Sequence, residues 1–231
     1  MQDYRCVFFD LDHTIWDYDT NSANTLGEIF EAFELERRGV SSLDDFRSTF
    51  VRINNELWDQ YDRGQIPHDA IRHERFHRIL LHTGVDDFPL SLKISKYYLT
   101  ESPKGTHLIP QAVETLEYLS ARYPLYIITN GFAEIQSTKL QSSGVGHFFK
   151  KVITSEQAGH KKPSRQIFDY ALNQIGHHSH QAIMIGDNLL TDIGGARNAE
   201  IDHVFFNPSK IRHEEPVTYE IHWLRELRDI L

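Results

Sequence analysis

Cys6-Val7-Phe8-Phe9 is an unbroken apolar run, and it stops at two carboxylates and a hydroxyl in Asp10-Leu11-Asp12-His13-Thr14. A strand with one wet face alternates apolar and polar residues; a strand that is apolar throughout is covered on both faces and belongs to a parallel sheet. Ligands of such open α/β sheets bind outside the carboxyl ends of the strands, where these two aspartates stand. Residues two apart on an extended chain point the same way, so Asp10 and Asp12 can face one site while Leu11 turns back into the protein.

Two carboxylates on one side repel each other unless a cation neutralises them or one of them holds a proton. The first expectation is therefore a hard divalent metal bound by oxygen. The second is a division of labour, with one carboxylate as nucleophile and its neighbour shuttling protons. Taken alone, the same residues also describe an Asx-type turn leaving a strand, with Thr14 capping a helix. The rest of the chain decides between them.

After Ile15 the periodicity becomes helical. Leu26, Ile29, Phe30 and Phe33 form one stripe, and Phe46, Phe50, Ile53, Leu57, Trp58 and Tyr61 a second, with Ser42 as its N-cap. Ile71, Phe76, Ile79 and Leu80 mark a third helix after Pro67, and Leu92, Tyr97 and Tyr98 a fourth before Pro103. From Pro110 the pattern alternates. A helix through Val113, Leu116 and Leu119 leads to the strand Leu125–Ile128, which ends in Thr129-Asn130-Gly131. A helix through Ile135 and Leu140 stops at Gly144, and the short strand Val152-Ile153 follows. Next come Gly159-His160-Lys161-Lys162-Pro163 and a helix carrying Ile167, Phe168, Ala171, Leu172 and Ile175, N-capped by Ser164. The strand Ala182–Ile185 ends in Gly186-Asp187, a helix lies near Ala196, Val204–Phe206 forms a further strand, and the tail closes with Ile221 and an amphipathic helix to Leu231.

Short apolar strands alternating with helices imply parallel βαβ units with right-handed crossovers. The expected fold is α/β, a doubly wound, mostly parallel sheet with an inserted α-helical cap. The core would hold residues 1–16 and 103–231, and the cap 17–102. Inserted after the first strand, the cap would emerge over the candidate site and act as a lid that excludes water and selects the substrate.

Four strand ends carry polar groups: Asp10, Asp12 and Thr14; Thr129, Asn130 and Gly131; Lys161 or Lys162; Asp187 and Asp192. In a doubly wound sheet such ends converge on one crevice. Each group suits phosphoryl transfer, where catalysis is mostly positioning and charge neutralisation. Thr129 and nearby backbone N–H groups can hold a phosphate, a lysine can offset its charge, and Asp187 with Asp10 can hold magnesium. Asp12 stays free to protonate the leaving oxygen and later activate water. Each stretch also has a plainer reading, as a turn into a helix, a solvated loop or a helix cap; the convergence of four argues against all being plain.

The formal charge of −9 argues against a nucleic-acid polymer as partner, since such surfaces need clustered Lys and Arg. A small phosphorylated metabolite remains. No apolar stretch reaches the length of a membrane span, and no basic-then-apolar leader precedes the first strand. Cys6 is the single cysteine, so no internal disulfide can form; its place on a buried strand suits a small hydrophobe, and the expected location is the cytoplasm. The run Gly176-His177-His178-Ser179-His180 lacks the spacing of a zinc site and reads as a solvated loop.

Phe9–Thr14, Ile128–Gly131, Lys162-Pro163 and Gly186-Asp187 through Asp192 resemble, in order, the four motifs of the haloacid dehalogenase superfamily of hydrolases. The resemblance implies that Asp10 is a nucleophile forming an aspartyl-phosphate, Asp12 the general acid and base, and Thr129, Asn130 and Lys162 the phosphate ligands. It implies magnesium held by the Asp10 carboxylate, the Asp12 backbone carbonyl and Asp187, with Thr14 and Asp192 in support. Dehalogenating members generally lack the second aspartate, so Asp12 favours a phosphatase. Leu57-Trp58 with Tyr61 and Gly64, Ile128–Phe132 and Ile167–Leu172 resemble the pyrimidine 5′-nucleotidase branch, related to N-acetylneuraminate-9-phosphate phosphatases. Ser164 stands where many members carry an acidic residue. The expected activity is magnesium-dependent hydrolysis of a nucleoside 5′-monophosphate, with Trp16, Trp58 and Tyr61 as conceivable stacking faces or core. The alternatives are a sugar-phosphate phosphatase, a phosphomutase, a 2-haloacid dehalogenase, or a phospho-acceptor receiver module, which needs only about half this length and no cap.

Overall fold

The computed structural model describes residues 4–231. By its internal contacts the chain divides into two compact units: one holds the chain up to Tyr18 and from Thr106 to Leu231, the other Asp19–Gly105. The division falls two to three residues beyond the boundaries the periodicity suggests.

The first unit is built on six parallel strands: β1 Cys6–Phe9, β2 Leu125–Thr129, β3 Phe149–Thr154, β4 Ala182–Gly186, β5 Asp202–Phe206 and β6 Tyr219–Ile221. Their spatial order is β3-β2-β1-β4-β5-β6. The chain steps one way from β1 through β2 to β3, then returns to start the other half at β4 beside β1. That reversal opens a crevice beyond the carboxyl ends of β1 and β4.

The unbroken apolar runs follow from burial on both faces. Val7 and Phe9 join Leu125, Ile127, Ile183, Ile185, Val204 and Phe206 in one core, against Leu116 and Leu119 of α5 (Ala112–Ser120). Cys6 and Phe8 join Ile128, Ile153, Ala182 and Met184 in the other, against Ile167, Phe168 and Ala171 of α8 (Arg165–Ile175). Successive strand residues thus serve opposite layers.

The tail departs from expectation. Ile221 lies in β6, a strand that periodicity missed because it has three residues, and the amphipathic helix is instead a 3₁₀ turn, Leu224–Asp229. Leu224 and Leu227 are buried three apart, which matches a threefold rather than a 3.6-fold repeat.

The second unit holds most of α1 (Tyr18–Ala32), with α2 (Leu43–Asp62), α3 (His68–His82) and α4 (Phe88–Glu101). Ser42 caps α2 by accepting from the Asp45 amide, and Asp87 caps α4 in the same way. Phe46, Phe50, Ile53, Leu57 and Tyr61 are buried as their spacing suggests, and so is Tyr98, but Leu92 faces outward and Leu90 and Ile94 are buried in its place. The unit also buries Arg75, whose guanidinium donates to Asn54 Oδ1 at 3.0 Å and lies 4.5 Å from the Tyr98 ring centre. No helix is long and apolar enough to cross a membrane among the described residues.

Candidate active site

Beyond β1 the chain folds into a tight turn. The amides of Ile15 and Trp16 both donate to Leu11 O, and His13 takes φ 60°. The turn hands Thr14 inward, fully buried, where its hydroxyl donates to Asp187 Oδ1 at 3.1 Å. Asp187 follows β4 directly, so adjacent strands bring it beside Asp10. Ligand oxygens of Asp10, Asp187 and Asp192 lie within 4.8 Å of one another.

Asp192 comes from a π-helical segment, Leu189–Ile193, which Asn188 caps by accepting from the amides of Leu190 and Thr191. The short helix α9, Gly194–Asn198, continues from it. Gly186 makes this approach possible, since a Cβ there would stand 2.3 Å from Asp192 Oδ2. Asp192 accepts from the Asn188 amide at 3.0 Å and from Lys162 Nζ at 2.6 Å.

Lys162 is the inward lysine; Lys161 is half-buried. A four-residue helix, α7 (Ser155–Ala158), follows β3 and leads into their loop. The Lys162 ammonium sits 2.6 Å from both Asp10 Oδ1 and Asp192 Oδ1. Asn130 fixes it from behind, donating through Nδ2 to Lys162 O and accepting at Oδ1 from the Lys162 amide. The side chain of Asn130, expected at the phosphate, therefore holds the lysine's backbone.

Thr129 ends β2, and its Oγ1 accepts from the Gly131 amide at 3.0 Å and from Gln136 Nε2 at 2.8 Å. Gln136 and Lys139 lie on α6 (Ala133–Ser142), and both reach Asp12. Lys139 Nζ is 2.5 Å from Asp12 Oδ1, and Gln136 Nε2 is 2.9 Å from Asp12 Oδ2. A Cβ on Gly131 would stand 2.1 Å from Gln136 Nε2, so only glycine leaves that amide its place. Gln136 Oε1 is left buried without a partner, at a cost of about 1–3 kcal/mol. The flipped amide would leave its nitrogen in that spot and aim its oxygen at a carboxylate, which is worse.

The four carboxylates therefore fall into two sets. Burial lifts Asp10 to about 7, with Lys162 opposing and Asp192 and Asp12 adding to the rise. Burial also lifts Asp187 well above the carboxylate range, reinforced by Asp192 and Asp10. Burial would lower Lys162, but Asp10 and Asp192 override it and hold the ammonium above its ordinary value. At Asp12 burial pushes upward, yet the Lys139 ammonium and the Gln136 amide prevail and hold it below the usual range.

A family model described as haloacid dehalogenase-like hydrolase matches residues 7–206. The chain belongs to that family. Among haloacid dehalogenase-like relatives, the HAD-hydrolase YfnB of Bacillus subtilis (strain 168) is 32% identical over 235 residues, covering 100% of this chain and 97% of YfnB. A crystal structure of YfnB bound to magnesium superposes with a TM-score of 0.90 at 30% identity, covering 99% of this chain and 98% of that one. The pyrimidine 5′-nucleotidase PynA of Streptococcus pneumoniae is 30% identical, covering 99% of this chain and 95% of PynA. A ribulose-1,5-bisphosphate 5-phosphatase of Halopiger xanaduensis is 32% identical, covering 88% of this chain and 85% of its own.

The donor set of this haloacid dehalogenase-like hydrolase fits magnesium. The clustered groups are carboxylates, hard oxygen donors, and three of them face the one ammonium of Lys162, so their full ionisation would leave negative charge that only a further cation can offset. Among the described residues no hydrogen bond engages Oδ2 of Asp10 or of Asp187, so each keeps an oxygen for a ligand. Both oxygens of Asp192 are taken, by Lys162 and Asn188, which makes it a brace.

Two residues at this site, Gln136 and Lys139, escaped the sequence reading, because polar residues on a helix read as a solvated face. The available signal was their spacing of three directly after Thr129-Asn130-Gly131, which aims both along the turn toward the strand ends. The indole of Trp16 is fully buried with the Lys139 ammonium 4.4 Å from its ring centre, and is no stacking face for a base.

Proposed function

We propose that the protein is a magnesium-dependent phosphomonoester hydrolase working through an aspartyl-phosphate on Asp10, with a nucleoside 5′-monophosphate as substrate. The observation that carries this reading is the separation of the two aspartates of the first turn. Asp10 shares Lys162 with Asp192, whereas Asp12 has a cation of its own in Lys139 and accepts from Gln136 as well. Separate partners let the two carboxylates serve different tasks, and a divalent cation held at Asp10 would favour its ionised, nucleophilic form.

An oxygen of Asp10 attacks phosphorus, the ester P–O bond breaks, and Asp12 gives a proton to the leaving oxygen. Water then attacks the acyl phosphate, Asp12 takes its proton, and inorganic phosphate leaves with the Asp10 carboxylate restored. Thr129 and Lys162 hold the phosphoryl oxygens. Asp10, Asp187 and the Asp12 carbonyl would hold magnesium, which when bound neutralises charge on the phosphoryl group. Thr14 keeps Asp187 in place.

The likeness to PynA supports a small phosphorylated metabolite of the nucleotide class. A sugar phosphate is the second reading, favoured by the likeness to the ribulose-1,5-bisphosphate 5-phosphatase. The test is phosphate release from a panel of nucleoside monophosphates, sugar phosphates and an aryl phosphate, with and without magnesium. Magnesium-dependent release led by pyrimidine monophosphates is expected; release led by sugar phosphates would move the substrate and keep the chemistry. Halide release from 2-haloacids with no ester turnover, or isomerisation of a sugar phosphate without free phosphate, would overturn the reading.

A further inference from the structure

Helix α6 buries the wrong kind of face. Its buried residues are Gln136, Lys139 and Leu140, two of them polar. A glutamine and a lysine taken out of water must be matched by partners. Asp12 supplies them, with one carboxylate oxygen bound by each side chain.

The hold is one-sided. The Asp12 side chain keeps 25% of its surface exposed, so it is gripped from the helix and open opposite. A carboxylate has about four lone-pair sites, and two are used here, leaving acceptor capacity on the open side. Gln136 also spends its second N–H on Thr129 Oγ1, which accepts from the Gly131 amide as well. With both acceptor sites of that hydroxyl filled, its proton is left to donate outward.

We infer that Lys139 and Gln136 are positioning residues that set the Asp12 carboxyl for proton transfer at the ester oxygen, and that Gln136 ties this group to the phosphate-holding hydroxyl of Thr129. The inference rests on the proposed role of Asp12. A merely structural ion pair would be indifferent to the leaving group; a positioned acid is not. Its removal hurts esters whose oxygen needs a proton to depart and spares those whose oxygen leaves unaided.

The test compares phenyl phosphate, a poor leaving group, with 4-nitrophenyl phosphate, a good one, in wild type, Lys139→Met, Lys139→Arg and Asp12→Asn. kcat/KM reports the steps through transfer to Asp10. General acid–base catalysis contributes roughly 10²–10⁴-fold, so a mis-set acid should cost about 10- to 100-fold on phenyl phosphate and under about 3-fold on 4-nitrophenyl phosphate. Lys139→Arg should recover most of the loss. Lys139→Met should also show a burst of nitrophenolate before a slowed steady state, because water attack on the phosphorylated enzyme needs the same carboxylate. Equal losses on both esters, or no loss, would overturn the inference. Should Lys139→Met fail to fold, Gln136→Met gives the same comparison with the lysine kept. If Asp12→Asn itself shows no leaving-group dependence, the acid–base role falls and the inference with it; if Asp12→Asn shows it and the Lys139 and Gln136 variants do not, the inference alone falls.

Discussion

Removing magnesium should make the enzyme's stability fall as pH rises, an unusual direction for a site built of carboxylates. Burial lifts Asp10 to about 7 and Asp187 well above its ordinary value, whereas the unfolded chain titrates aspartates near 3.9. Both native values lie above the unfolded ones, so between the two the native state binds protons that the unfolded state has released. Stability is then fully present below the unfolded value and is lost as pH climbs through the native one. For Asp10 alone, going from pH 5.5 to pH 8 removes about 2 kcal/mol. That corresponds to about 4–8 °C in Tm for a chain of this size. Asp187 adds in the same direction.

A divalent cation reverses the slope by binding the ionised carboxylates and displacing their protons. Calorimetric melting at pH 5.5, 7 and 8, in chelator and in saturating magnesium, should show two curves that separate as pH rises. Asp10→Asn should flatten the chelator curve, since its amide takes up no proton. A metal-free protein that melts higher at pH 8 than at 5.5, or a magnesium effect constant across the range, would refute the electrostatic account of the crevice.

Lys162→Met strips the counter-charge from Asp10 and Asp192, and urea unfolding of the metal-free protein at pH 8 should show a loss of about 3–5 kcal/mol that shrinks on acidification. Gly186→Ala drives a methyl group into Asp192, whose displacement from Lys162 and Asn188 should cost about 1–3 kcal/mol in the same assay; unchanged stability would show that the strand end can yield. Cys6 is fully buried and burial pushes its thiol up to about 12, so a disulfide reagent should label it only as the protein unfolds; prompt labelling of the native protein would contradict its place in the core.

β1, β2 and β4 were legible because they are largely apolar runs, and the candidate site because each of these ends on or beside a residue with chemistry: Asp10, Thr129, Asp187. The choice between Lys161 and Lys162 was not legible, since it depends on which backbone the Asn130 amide grips across 32 residues of sequence. Leu92 and Val113 mark their helices in the sequence, yet both lie outward; the buried positions are Leu90 and Ile94, two residues to either side of Leu92, and Ala112, one before Val113. Gln136 and Lys139 were invisible for a deeper reason. Hydrophobic periodicity finds faces that gain by leaving water, and this face is buried to hold another residue.

That second set of partners changes what the paired aspartates can do. Had one lysine served both, the charge on Asp10 would dictate the proton on Asp12, and the phosphorylation and protonation steps would be locked together electrostatically. Separate cations, Lys162 behind Asp10 and Lys139 behind Asp12, loosen that link. Gln136 then joins the Asp12 carboxyl to the Thr129 hydroxyl by geometry rather than by charge, and a hydrogen bond can persist while the charges on either side change.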